Sequence, residues 1–184
     1  MSGSLAPSLL LSMPQLMDPN FSRTVVLLCT HSEQEGAFGL VLNRPLLTSG
    51  RVVINLDPPA TTDQDLEVWV GGPVEQHRSW ILAEGSGAGD PEDVTIAERL
   101  YLSTSSDLLR RLLEPNPPPR TRLMVGYSGW GPGQLESELH ASAWLLSDVD
   151  RDLIFNTPAD EMWETAIRKL GADPASLQMS RGVH

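Results

Sequence analysis

Apolar residues in this chain fall in short runs separated by turn-forming residues, with no long apolar tract. Leu9–Ser12 reads as a short buried strand, closed by Pro14 and the Asp18-Pro19 pair. Thr24–Thr30 is a β-branched and leucine-rich run without alternation, the pattern of a strand buried on both faces. After a polar joint at Ser32–Gly36, Ala37–Asn43 reads as a second strand, ended by Pro45, so the two should form a hairpin. Leu47–Leu56 is ambiguous between helix and strand, and Asp57–Asp65, with Pro58 and Pro59, reads as an exposed loop. Further strands are expected at Glu67–Val70, Arg78–Ala83, Val94–Leu102, Arg120–Tyr127, Ala143–Val149 and Leu153–Phe155. Gly85–Pro91 is glycine-rich and expected to be mobile.

Three segments carry helical signals. In Ser103–Glu114, Ser105 or Ser106 can cap and Asp107 sits in the first turn; Leu108, Leu109, Leu112 and Leu113 form a stripe, and Pro115 forbids continuation. Gln134–Ala141 follows Pro132 as a short helix. The last helix opens at Thr157-Pro158-Ala159-Asp160, with Thr157 as cap and Pro158 in the first helical position; it buries Trp163, Ala166, Ile167 and Leu170 and stops at Gly171. The pattern leaves the order of the tail, 175–184, open between a disordered end and further structure. Helices do not follow every strand, so the pattern predicts an α+β fold: one domain over 1–184, with a mixed, largely antiparallel sheet and a few flanking helices.

Composition narrows the function. With 184 residues, 40% hydrophobic and 20% charged, the chain can bury a sizeable core without metal or disulfide staples. The formal net charge of -11 opposes nucleic-acid backbones and anionic lipid. The nearest approaches to a basic patch, Arg110-Arg111 and Arg120 with Arg122, read as a solvated helix face and a strand edge. The single cysteine, Cys29, lies inside an apolar run and fits a small buried hydrophobe in a reducing, cytoplasmic setting. No basic start precedes the first apolar run, and no stretch approaches the roughly 18 apolar residues of a membrane span, so neither a secretory leader nor a membrane partner is expected.

No chemical motif is complete. Gly126-Tyr127-Ser128-Gly129-Trp130 begins like a hydrolase nucleophile elbow, but Trp130 stands where the last glycine belongs. No Walker lysine follows the glycines, and Gly71-Gly72-Pro73-Val74 lacks the dinucleotide spacing and reads as a sharp turn. Glu136 and His140 share a helix face and, with Asp18, could hold a divalent ion; a solvated face is the simpler reading. His31 and His77 have no ligand spacing. Arg44, beside Pro45, could grip an anion or form a structural pair with Asp18.

Taken together and in order, these stretches resemble the YqgE/AlgH family of bacterial proteins. The resemblance rests on Pro14–Val26, Gly39–Pro45, Gly71–Val74, Gly126–Glu136, Trp144-Leu145 and the Phe155–Gly171 segment. It implies a mixed α and β domain and no defined activity; some members are labelled transcriptional regulators through a link to alginate expression. No helix-turn-helix pattern supports direct DNA reading here. The family-matching polar positions are Asp18, Arg23, Asn43, Arg44, Gln134, Glu136 and Glu138, with Gly71 and Gly72 shaping the surface between them. The chain departs from the family at Gly50–Thr62, at Ser79-Trp80, and at Ser142 where Asn is common.

The leading expectation is a non-catalytic binding or regulatory protein. It would act without a cofactor on an unidentified protein partner or small ligand, at a surface made by the glycine-rich loops. The alternative is a hydrolase or transferase with Glu136 or Asp18 as base or metal ligand and Arg44 as anion clamp. Convergence of those side chains in one pocket would favour the enzyme, and their separate burial in ion pairs and caps would favour the binding module.

Overall fold

A computed structural model describes residues 4–14, 19, 21–48, 52–54, 60–62, 66–85, 93–114 and 116–180. The elements are β1 (Ser8–Ser12), β2 (Val25–Ser32), β3 (Gly36–Val41), β4 (Pro45–Thr48), β5 (Val52–Ile54), β6 (Ala60–Thr62), β7 (Leu66–Val70), β8 (Val74–Glu84), β9 (Val94–Ala97) and β10 (Leu100–Ser103). They are followed by α1 (Ser106–Leu112), β11 (Thr121–Trp130), α2 (Gln134–His140), β12 (Trp144–Ser147), α3 (Arg151–Asn156), α4 (Ala159–Lys169) and α5 (Pro174–Ser180). One sheet of ten strands runs β12-β1-β2-β3-β11-β8-β10-β9, with β4 and β7 branching from β11. Every pairing in it is antiparallel except β7 with β11. The fold is therefore α+β with a mixed, largely antiparallel sheet, and β2 and β3 form the expected hairpin.

Helices cover both faces of this sheet, which explains the unbroken apolar runs. Leu9 and Leu11 join one core with Val25, Leu27, Leu40 and Met124, sealed by Leu153, Ile154, Met162, Trp163 and Ile167 of α3 and α4. Leu10, Val26, Leu28 and Val41 point the other way and pack with Trp130, Leu135 and Trp144. A third cluster joins Leu109 of α1 to Val68, Ile81 and Leu123. A strand with helices on both sides has no solvent face, so its sequence loses the polar alternation.

Strand β11 links the two halves of the sheet. Its first residues lie between β7 and β8, and its last pair with β3. The change of neighbour happens at Gly126, which takes φ 72° while the register with β8 shifts between Val125 and Tyr127. There the Gly71-Gly72 turn crosses β11 closely: a Cβ on Gly71 would sit 2.6 Å from the Gly126 carbonyl oxygen. These glycines permit backbone to meet backbone.

Several expectations are corrected. Leu153–Phe155 is helical, because Asp150 caps α3 by accepting from the Leu153 amide at 3.1 Å. Thr157 consequently ends α3, and Pro158 occupies the N-cap of α4 with no side-chain cap. Val94–Leu102 is a hairpin of β9 and β10 turned at Arg99, φ 57°, rather than one strand. Strand β8 starts at Val74 and β11 reaches Trp130, both longer than expected. The tail contains α5, and Ala60–Thr62 pairs with Val52–Ile54 inside a stretch expected to be loop or ambiguous. Asp18 and most of the Gly85–Pro91 loop lie outside the described residues. The other helices agree: Ser105 caps α1, and Gly171 ends α4 in the left-handed region, φ 85°.

Candidate functional site

The described family-matching polar side chains fall in two groups, Arg23, Asn43 and Arg44 at the turn before β2 and Gln134, Glu136 and Glu138 on α2. Asn43 is buried and bridges two segments: its Oδ1 accepts from Val25 N at 3.1 Å and its Nδ2 donates to Arg23 O at 3.0 Å. Arg44 donates to the carbonyl of Ser22, and partial burial lowers its pKa. Arg23, φ 52°, lies 4.6 Å over the Trp163 ring and pairs with Glu164 at 2.6 Å. Together they fasten the turn before β2 to the end of β3 and to α4. The expected Arg44–Asp18 pair involves a residue outside the described set.

On α2, Glu138 and Gln134 are likewise partnered, whereas Glu136 Oε1 is buried without a hydrogen bond. Glu138 Oε1 accepts from two indoles, Trp130 Nε1 at 3.1 Å and Trp144 Nε1 at 2.8 Å, while its Oε2 accepts from Gln134 Nε2 at 2.9 Å. Gln134 Oε1 in turn accepts from Gly131 N at 3.0 Å, which holds the turn into the helix. Glu136 meets His31 of β2, whose Nε2 lies 3.4 Å from Glu136 Oε1, rather than the exposed His140. His31 Nδ1 accepts from Leu5 N at 3.1 Å, while His31 Nε2 makes no hydrogen bond to a described residue.

Both nucleophile candidates are buried. Ser128 is fully buried and donates to Gly71 O at 3.0 Å, so the hydroxyl fixes the Gly71 crossing. Cys29 is buried, donates to Leu27 O, and burial pushes its thiol far above the ordinary range. Gly71 and Gly72 are buried against Gly126 and Tyr127, while Gly72 and Pro73 also border an open pocket of about 310 Å³ with Arg44 and Gln76, and Gly129, Gly131 and Gly133 are exposed. No cluster of three metal-ligating side chains occurs among the described residues.

Arg122, expected on a solvated strand edge, lies in a cleft. Arg122 is 9% exposed on interior strand β11 and shares the face of Met124, toward α3 and α4. Its guanidinium lies 3.8 Å from the Trp69 ring centroid and 5.7 Å from that of Phe155. Its only hydrogen bond to a described residue is a long one, to Leu42 O at 3.4 Å, and it has no ion pair there. Burial lowers its pKa to about 10, partly offset by Glu67, so it stays charged at neutral pH. Around it lies an open cleft of about 520 Å³ between Pro45, Glu67, Trp69 and the α3–α4 junction. The signal was present in Arg122 alternating with Met124 on a strand; the approach of Trp69 and Phe155 was not. Arg120, by contrast, is tied to Glu84 at 2.8 Å and Asp152 at 2.9 Å.

Comparison with known proteins agrees with the fold and the motifs. A family model described as AlgH-like matches residues 9–175. A UPF0301 protein of Myxococcus xanthus is 42% identical over 98% of this chain and 99% of its own length. Another, from Ruegeria pomeroyi, is 38% identical over 97% of this chain and 98% of its own. The solution structure of the AlgH protein from Pseudomonas aeruginosa superposes with a TM-score of 0.72 at 34% identity, covering 96% of this chain and 95% of that one. A Corynebacterium diphtheriae protein shares the fold, with a TM-score of 0.67 at 22% identity over 97% of this chain and 92% of that one. The chain belongs to the AlgH-like family.

Proposed function

We propose that this protein is a non-catalytic binding module of the cytoplasm, exerting a regulatory effect through a small ligand or a protein partner. The observation that carries this reading is the commitment of the motif side chains to structure. Asn43, Arg44, Gln134 and Glu138 hold backbone segments or indoles, and Ser128 holds the crossing at Gly71. A catalytic set requires a nucleophile or base and a stabilising donor converging on one reacting atom. Here Arg44 and Glu136 serve separate contacts, Arg44 with Ser22 and Glu136 with His31. Among the described residues no helix is long and apolar enough to cross a membrane. The charge of -11 disfavours direct binding to nucleic acid.

The test is a thermal-shift screen against metabolites, nucleotides and divalent ions, followed by mass spectrometry of every compound that raises Tm. A native-state ligand stabilises by mass action, about 2.7 kcal/mol at a hundred times its Kd. The reading expects such compounds to be recovered unchanged after prolonged incubation. Conversion of a hit to product, abolished by Arg44→Ala or Glu136→Ala variants that still fold, would establish the enzyme instead.

A further inference from the structure

The cleft at Arg122 has a chemistry that narrows the ligand. Its lining includes a guanidinium lying over the Trp69 ring, with the Phe155 ring 5.7 Å away. Stacking on an aromatic face leaves the guanidinium edge available, and that planar fork matches a carboxylate. Burying a cation is costly, and among the described residues Arg122 has no ion pair, only the longer-range field of Glu67, so a carboxylate ligand would complete its neutralisation.

The rest of the lining argues against a simple anion. Glu67 and Asp160 border the same cleft and would repel a phosphate or a dicarboxylate. The start of α4, capped by Pro158 without a side-chain hydrogen bond, adds partial positive charge but no full counterweight to two carboxylates. Pro45 and Phe155 supply apolar surface beside these groups.

Resting on the binding-module reading, we propose that this cleft takes a small amphipathic zwitterion of the free α-amino acid class. The carboxylate lies on the Arg122 guanidinium, the ammonium faces Glu67 and Asp160, and an apolar side chain lies against Phe155 and Pro45. Such a ligand brings no net charge to a protein of charge -11 and neutralises the buried cation.

The probes are leucine, methionine and phenylalanine, with two deletion analogues of phenylalanine. Hydrocinnamate keeps the carboxylate and ring without the amine, and phenethylamine keeps the amine and ring without the carboxylate. Calorimetric titration should show binding by at least one of the amino acids. If phenylalanine binds, each analogue should bind roughly ten- to a hundredfold more weakly, the size of a lost charged hydrogen bond. If only leucine or methionine binds, the corresponding deamino acid and decarboxylated amine replace those analogues. Arg122→Met should abolish binding while circular dichroism shows a folded protein. Should that variant fail to fold, Glu67→Gln decides, since Glu67 is exposed. It should weaken amino-acid binding about tenfold while leaving the deamino acid unaffected or tighter.

The proposal falls if none of the three amino acids binds. It also falls if the deamino acid binds as tightly as its amino acid, or if folded Arg122→Met binds normally. The broader reading fails differently: it falls if a bound compound is turned over, and it survives if an unrelated compound binds unchanged at another place.

Discussion

The guanidinium of Arg122 lies 3.8 Å from the centroid of the Trp69 ring, on the core-facing side of an interior strand. Arg122 has no ion pair among the described residues, so replacing this buried cation by an apolar side chain of similar length removes a desolvation cost, and such replacements are commonly neutral or stabilising. Arg122→Met is therefore expected to leave chemical-denaturation stability unchanged or raise it by about 1 kcal/mol. A loss of more than about 2 kcal/mol in that variant would make Arg122 a structural pillar and not a ligand group.

Glu138 makes the opposite forecast. It is the shared acceptor of two indoles that join β11, α2 and β12. Glu138→Ala leaves both donors short of a partner and should cost about 2–3 kcal/mol in urea unfolding. Glu138→Gln keeps an acceptor oxygen and should cost about half as much. Equal losses in the two variants would show that the charge, and not the acceptor, holds the indoles.

Ser142 sits just past α2 with φ 60°, and its amide donates to Leu139 O while that of Ala143 reaches Glu138 O. This is a helix-ending turn whose left-handed residue favours glycine or asparagine. Ser142→Gly is expected to raise stability by about 1 kcal/mol, read as an increase in Tm with unchanged spectra. A lowered Tm would mean that the serine side chain contributes more than the backbone strain costs.

The fold was legible where a run of residues decided its own structure. Leu9–Leu11 and Val25–Cys29 lack polar alternation because helices cover both sheet faces, and that pattern alone marks both as buried strands. Leu153–Phe155 misled because three apolar residues carry no period, and the Asp150 cap that makes them helical lies just before them. Much of the site is long-range. Trp69 and Phe155 reach Arg122 from β7 and α3, and His31 reaches Glu136 from β2, through pairings no local pattern specifies. The family motif drew attention to Arg44 and the glycines; their positions are explained by the crossing of Gly71 over Gly126 and by the turn before β2.

Asp150 links pH to stability. Burial pushes its pKa up, but Lys169 at 2.6 Å and the Leu153 amide outweigh this and hold the carboxyl below its ordinary value of 3.8. A depressed carboxylate stabilises above the unfolded-state pKa and loses that contribution as pH falls through the folded one. Asp150→Asn keeps a capping oxygen and removes the charge. The variant should be less stable than the parent near neutral pH, and the gap in Tm should close as pH drops below the ordinary Asp range. A gap independent of pH would place the effect in the cap geometry instead.

The most direct test of the account is where a stabilising ligand lands. Amide and indole resonances of the isotope-labelled protein would be followed during titration with a compound that raises Tm and is recovered unchanged. The account predicts that the perturbed resonances centre on Trp69, Arg122 and the Phe155–Asp160 segment, and that they disappear in Arg122→Met. Perturbations centred on Gly71-Gly72 and Gly126–Gly133, unchanged in that variant, would contradict it and return the function to the glycine-rich motif.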